Sequence, residues 1–319
     1  MMRIAIALSL LAGLAIAQDQ EKDIWMTDFA AAKAKAKAEQ KDLLVDFTGS
    51  DWCGWCIKLD NEVFGKNEFQ KEAPKSFVLV KLDYPQDKSK MSKELIEQND
   101  KLQGQFSVSG FPTLLLMDAD ANVFDSIGYQ EGGPGPYNEA LTKLLKKGAG
   151  FKAALLMAAT KEGVERAKAL DDGLSSLSEE VAQMNFDLMK EIVTLDADGK
   201  AGLKEKYGEL VTKIEASRTL QVAAKFLQEL IAQHMEAGEG EQAIAKLDAV
   251  ILKPKDPMHH QMALFFKGMV IMDTTQDVKA AVAALEAASA ISPKSPIAQQ
   301  IADILPKIKA AGGGDDGGK

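Results

Sequence analysis

The stretch Trp52-Cys53-Gly54-Trp55-Cys56 decides the reading of this chain. It holds the only two cysteines among 319 residues and directly follows an apolar run, Leu43-Leu44-Val45-Asp46-Phe47, with the composition of a short strand. A disulfide between the two would close a tiny loop and constrain the unfolded chain very little, so the spacing points to chemistry and not to stapling. Such a pair can exchange a disulfide with another molecule. If a helix begins here, Cys53 stands at its N-terminus, where unpaired backbone N–H groups and the helix dipole favour a thiolate. Cys56 follows one turn deeper on the same face. That order makes Cys53 the exposed, attacking thiol and Cys56 the resolving one.

Working outward, Ile24 to Gln40 reads as a helix, with Trp25, Phe29 and Ala32 on one face and Lys33, Lys35 and Lys37 largely outside. The spacing of Leu59, Val63 and Phe64 carries the helix from Cys53 to about Lys71. Phe77 to Leu82 is a strand and Ser92 to Phe106 is mostly helix. Thr113 to Met117 and Asn122 to Ile127 are strands joined by a turn at Asp118-Ala119-Asp120-Ala121, and Tyr137 to Lys147 closes the unit as a helix. Helices interleaved with strands give residues 18–150 an α/β layer with a mixed sheet flanked by helices. Gly132 to Pro136 reads as a loop and Gly148 to Gly150 as the domain boundary.

Beyond that boundary the composition shifts. Residues 151–310 have helical periodicity and are rich in Ala, Leu, Lys and Glu, which predicts an all-α domain of helical hairpins. Ala243, Leu247, Val250 and Pro254 recur as Ala281, Leu285, Ala288 and Pro293, a period of roughly 38 residues. This resembles the tetratricopeptide pattern of paired helices. Gly268 stands where that pattern has its small packing residue, whereas Ile231 occupies the place in the first unit. Generic antiparallel helix packing produces similar spacings, and both readings stand. The Gly-rich tail, residues 311–319, is expected to be disordered.

The first 17 residues have the pattern of a secretory signal: Arg3, an apolar run from Ile4 to Ile16, and a small-x-small site at Ala15-Ile16-Ala17, with cleavage expected after Ala17. The run is shorter than the roughly 20 apolar residues that a membrane span needs. Export to a periplasm or beyond places the cysteines where disulfides form and persist. The formal charge of −9 argues against a nucleic-acid partner, because phosphate binding needs a basic surface.

Val45-Asp46-Phe47, Trp52-Cys53-Gly54-Trp55-Cys56-Ile57-Lys58, Val80-Lys81-Leu82-Asp83, Gly110-Phe111-Pro112-Thr113-Leu114 and Gly128 occur in an order and at distances that resemble the thioredoxin superfamily. The resemblance covers about residues 24–148. It implies that Pro112 follows a cis peptide bond and faces the cysteine pair, beside backbone that can pair with a substrate strand. It implies that Asp46 is buried behind Cys56 and accepts its proton through water, with a pKa raised by desolvation. It further implies that Lys81 neighbours and modulates Asp46. Trp52, Trp55 and Phe111 are expected to form an apolar rim around Cys53, with Gly54 and Gly110 completing the substrate-facing set.

The chain departs from the usual thioredoxin pattern. Trp55 replaces the proline between the cysteines, Thr48-Gly49-Ser50-Asp51 replaces an apolar-aromatic lead-in, and the first strand is expected to be missing, with the 24–40 helix in its place. These features resemble the exported domains related to the periplasmic end of the thiol:disulfide interchange transporter. No histidine lies between the cysteines to stabilise a thiolate strongly, which points towards reduction. The expected activity is therefore that of a protein-disulfide reductase needing no bound cofactor. Its partners would be disulfide-bonded clients and a thiol electron donor, possibly membrane-bound. The rival readings are an oxidant or isomerase using the same residues, and a scaffold whose helical repeats bind clients while the α/β module is non-catalytic. Asp118 to Asn122 and Asp196 to Gly199 hint at calcium loops but lack the glycine and glutamate such loops need, and read as a hairpin turn and a helix–helix loop respectively. His259 and His260 do not make a zinc site with the cysteine pair, because adjacent histidines point apart and lie in the other domain, and His234 fits a helix face.

Overall fold

The computed structural model describes residues 24–312. The expected signal sequence, with its cleavage after Ala17, and residues 313–319 of the tail lie outside the described residues; residues 311–312 close the last helix.

A mixed sheet carries the site. Its strands are β1 (Trp25–Met26), β2 (Asp42–Thr48), β3 (Phe77–Asp83), β4 (Thr113–Met117) and β5 (Val123–Ile127), in the spatial order β1-β3-β2-β4-β5. β2 pairs in parallel with β3, placing Asp46 opposite Lys81, and antiparallel with β4, placing Asp46 opposite Leu114. Bonded on both edges, β2 reads as a nearly continuous apolar run, and Leu43, Leu44, Val45 and Phe47 are fully buried. Asp46 is the exception among them.

The expected helix from Ile24 is corrected to a short strand followed by a helix. Trp25 and Met26 pair with Leu79 and Val80 of β3. Asp28 then caps helix α1 (Phe29–Glu39) by accepting the Ala31 N–H at 2.9 Å, which fixes the start of the helix after the strand. The first strand is therefore present. The long helix from Cys53 is also interrupted. Helix α2 (Gly54–Leu59) runs into a π-helical segment, Asp60–Phe64, closed by the Gly65 N–H on the Asp60 carbonyl at 2.7 Å. The wider turn lets the consecutive residues Val63 and Phe64 both enter the core. Helix α3 (Asn67–Ser76) begins anew.

Helix α4 spans Lys93–Gln105, capped by Ser92, and α5 spans Pro134–Lys147. Helix α5 starts inside the stretch read as a loop, because a proline is well suited to a first helical position. Gly148 alone separates α5 from α6 (Ala149–Ala158), and its carbonyl already accepts the Lys152 N–H at 3.1 Å.

By density of contacts the chain divides into two units: residues 1–90, 111–122 and 127–144, and residues 91–110, 123–126 and 145–319. The second unit is mainly helical: α7 (Gly163–Ser175), α8 (Glu179–Met184), α9 (Phe186–Leu195), α10 (Leu203–Glu236), α11 (Gly240–Leu252), α12 (Pro257–Thr274), α13 (Val278–Ile291) and α14 (Pro296–Gly312). Ala243, Leu247, Leu285 and Ala288 of the sequence repeat are fully buried in one core with Val250 packed against it, and Ala281 is fully buried as well. Gly268 is required by close packing: a Cβ there would stand 2.7 Å from Leu285 Cγ. Asp196 caps α10, accepting the N–H groups of Ala201, Leu203 and Lys204 at 2.8–3.0 Å. No helix among the described residues is long and apolar enough to cross a membrane.

Within the second unit the buried Asn185 acts as a piece of strand. It accepts the Val123 N–H at 2.8 Å and donates to the Val123 and Val181 carbonyls at 2.8 and 3.0 Å. Asn185→Ala leaves those buried groups unpaired and should cost about 2–4 kcal/mol in urea unfolding, whereas a loss near zero would show that they find other partners.

Candidate active site

The end of β2 delivers the cysteine pair. Between Thr48 and Cys53 the chain turns through a loop tied to the residues that follow β3. Ser50 donates its N–H and hydroxyl to the Asp83 carboxylate at 2.9 and 2.6 Å. Asp51 accepts the N–H groups of Gln86 and Asp87 at 3.0 and 3.2 Å, which holds its carboxyl below the usual range. Tyr84 donates its N–H to Thr48 O, and the Trp52 indole N–H reaches Tyr84 O at 2.8 Å. Gly49 makes this arrangement possible, since a Cβ would stand 2.5 Å from the Trp52 ring. The polar lead-in Thr48-Gly49-Ser50-Asp51 thus works as a clamp.

Cys53 is the N-cap residue of α2. Its extended backbone starts the helix, and its sulfur accepts the Cys56 N–H at 3.2 Å. The two cysteines are joined as a disulfide. The exposed thiol expected at Cys53 is corrected: it keeps 6 % of its surface, against 3 % for Cys56. As cap, its side chain folds back over the first turn and is bonded there. Exposure passes to its neighbours, Trp52 at 45 % and Trp55 at 58 %. Gly54 is exposed and has open space where a side chain would be.

The Phe111–Pro112 peptide bond is cis. The Phe111 ring meets Trp52 edge-on at 5.8 Å and Tyr84 at 5.1 Å, which brings the cis-proline loop against the lead-in to the cysteines. Gly110, just before it, is exposed.

Asp46 is 2 % exposed, and its Oδ1 accepts no hydrogen bond from any described residue. Burial pushes its carboxyl up to about 7; the charge of Lys81 opposes this, and those of Asp60 and Asp83 add to it. The Lys81 ammonium is hydrogen-bonded to Asp60 at 3.2 Å and lies over the Trp25 ring. Tyr137 is buried and its phenol is pushed up by desolvation first and by Asp46 second.

A further cluster borders Trp55. Its ring tilts against Tyr129 at 5.2 Å, and Lys58 Nζ stands 5.3 and 4.9 Å from the two ring centres. The Tyr129 hydroxyl donates to Glu62 at 2.6 Å, which pushes the phenol up, while Glu62 also faces Lys58 at 3.9 Å. Sequence reasoning assigned none of Tyr129, Lys58 and Glu62. Only the i,i+4 spacing of Lys58 and Glu62 was available as a signal. Among the described residues no cluster of histidine, cysteine or carboxylate side chains is placed to hold a metal.

Residues 24–119 match the family described as Thioredoxin-like. The chain is 34 % identical over 118 residues to "Disulfide bond reductase DsbH" of Chlamydia pneumoniae, covering 37 % of this chain and 70 % of that protein. It is 31 % identical over 111 residues to "Thioredoxin-related protein DsbJ" of the same organism, covering 35 % of this chain and 32 % of that one. A solved structure titled "DsbH Oxidoreductase" aligns with 33 % identity and a TM-score of 0.37, over 38 % of this chain and 83 % of its own. A disulphide isomerase from Xylella fastidiosa Temecula1 aligns with 20 % identity and a TM-score of 0.28, over 41 % and 99 %. The chain belongs to the thioredoxin superfamily, and with its Cys53–Cys56 pair it is a thiol–disulfide oxidoreductase.

Burying Asp46 has a measurable consequence. Between the ordinary 3.8 and about 7 the folded chain holds a proton that the unfolded chain has released. Stability therefore falls as pH rises across that window and is level above it. Asp46→Asn removes this dependence. In urea melts it should exceed the parent by a few kcal/mol at pH 8, with the difference shrinking towards pH 4.

Proposed function

We propose that this chain is exported and reduces the disulfides of client proteins through the Cys53/Cys56 dithiol. The observation that carries the reading is Cys53 at the N-cap of α2, its sulfur accepting the Cys56 N–H. The same N–H and the helix start favour a thiolate there once the disulfide is open. The relative named disulfide bond reductase supports the direction. The pattern Arg3, Ile4 to Ile16 and Ala15-Ile16-Ala17 supports export.

The Cys53 thiolate attacks a client disulfide. A bond forms between Cys53 Sγ and one client sulfur, and the other client sulfur leaves as a thiolate and takes a proton. Asp46, a buried carboxylate with an elevated pKa, accepts the Cys56 proton through water. Cys56 then bonds to Cys53, the client's second sulfur departs with its electron pair, and two electrons have passed to the client. An external dithiol donor restores the pair, and the cysteines carry the electrons without a bound cofactor. Pro112 lies beside the backbone that would pair with a client strand, while Trp52, Gly54, Trp55, Gly110 and Phe111 would border the client's cysteine. The helical region, read from residue 151 to 310 as a tetratricopeptide-like domain, would hold or select clients.

Cys56→Ser should accumulate mixed disulfides at Cys53 on incubation with oxidised clients, and Cys53→Ser should trap nothing, as read on non-reducing gels. Equal client retention by both variants without covalent capture would support the scaffold reading. The reduction potential should lie near about −270 mV when the full chain is equilibrated with thiol buffers and its free thiols are counted. A value of about −120 to −180 mV would overturn the reductase direction in favour of oxidation or isomerisation.

A further inference from the structure

Asp46 and Lys81 stand opposite each other on β2 and β3, yet the lysine is hydrogen-bonded elsewhere. Its Nζ lies 3.2 Å from Asp60 Oδ1 and 5.5 Å from the centre of the Trp25 ring. Asp60 opens the π-helical segment that continues from α2, and Trp25 belongs to β1, paired with β3. Two elements on either side of Lys81 therefore decide where its charge sits. The stem of a lysine is long and flexible, so without those partners the ammonium is free to swing to another carboxylate. The nearest consequence would fall on Asp46, whose buried Oδ1 accepts no hydrogen bond from any described residue.

We propose that Asp60, backed by Trp25, is a positioning residue that holds Lys81 off Asp46, leaving Asp46 able to take the proton of Cys56 as that thiol resolves the mixed disulfide. The proposal rests on the reductase reading, which gives Asp46 that task. In the step concerned the S–H proton of Cys56 passes to the Asp46 carboxylate. The freed electron pair of Cys56 Sγ forms the bond to Cys53 Sγ. The bond between Cys53 and the client breaks, and the client sulfur leaves as a thiolate.

A lysine seated on Asp46 would form a charge-assisted hydrogen bond with it and make it a poor base. The charged groups acting on Asp46 are Lys81 and Asp83 from β3 and Asp60 from the π-helical segment, and Asp46 in turn acts on the phenol of Tyr137 from α5. Burial is the largest influence and raises the proton affinity of Asp46; Lys81 lowers it, and Asp60 and Asp83 raise it. Asp60 thus acts in two ways, through its own charge and through the lysine that it holds. A double-mutant cycle separates the two.

The experiment uses the full reduced chain as parent, Asp60→Asn, Lys81→Met and the double variant. One readout is the titration of the Asp46 carboxyl carbon by NMR. The other is the pH profile of the rate at which Cys56 resolves a preformed mixed disulfide at Cys53. Asp60→Asn should lower the midpoint of both by about one pH unit, Asp60→Glu should restore it, and in the Lys81→Met background the shift should fall to less than half. The same shift in both backgrounds would overturn the positioning role, because Asp60 would then act by its own charge alone. No shift would overturn it outright. Should Asp60→Asn fail to fold, Trp25→Leu tests the same restraint and should move both midpoints downward. If the parent never resolves a mixed disulfide while the carboxyl titration responds as expected, the reductase reading fails and the restraint on Lys81 stands.

Discussion

The two-sided pairing of β2 is the constraint on which the site depends. β3 binds one edge in parallel and β4 the other in antiparallel, so the C-terminal end of β2 has no freedom to shift. The loop that follows is held from a second direction, since Ser50, Asp51 and Trp52 all bond to residues between Asp83 and Asp87. Cys53 is therefore placed by two strands at once before α2 begins. A thiol positioned in this way can serve as helix cap and reactive group together, because both tasks need the sulfur at the same point.

That geometry has a cost on the same strand. A central strand buried on both faces admits apolar side chains, and Asp46 is a carboxyl in the middle of one. The fold accommodates it by raising its affinity for a proton, burial pushing the carboxyl up to about 7. A purely structural strand gains nothing from such a residue. A carboxyl poised near neutral pH suits proton transfer, for which the best base titrates near the working pH.

Much of this was legible in the sequence, for a physical reason. The run Leu43 to Phe47, the C-x-x-C spacing, the strand Phe77 to Leu82, the turn at Asp118 and the proline at 112 are local signals, each written within a few residues. What escaped is what distant segments decide together. β1 is two residues long and exists because β3 accepts it, so no periodicity within Ile24 to Gln40 could reveal it. The π-helical turn at Asp60–Phe64 depends on burying Val63 and Phe64 side by side, which the helical spacing of Leu59 and Val63 conceals. Tyr129 and Glu62 meet across 67 positions of sequence. Lys81 could be placed beside Asp46 from the motif, but its actual partner, Asp60, could be found only from the geometry.

The exposure pattern at the cysteines bears on how a client is met. If Cys53 stood out from the surface, collision with any disulfide would suffice and selectivity would rest elsewhere. Instead the sulfur is recessed, and the accessible surface beside it belongs to Trp52 and Trp55. The exposed side chains flanking the recessed sulfur in the sequence are therefore aromatic. Those faces are themselves fixed: Trp52 by its bond to Tyr84 O and by the absence of a side chain at Gly49, and Trp55 by Tyr129 and Lys58. An indole held from behind has little conformational freedom left to lose, so this aromatic surface is preorganised. The residue between the cysteines thus contributes more than spacing. Where thioredoxin commonly has a compact proline, this chain presents a large aromatic surface beside the cysteine pair.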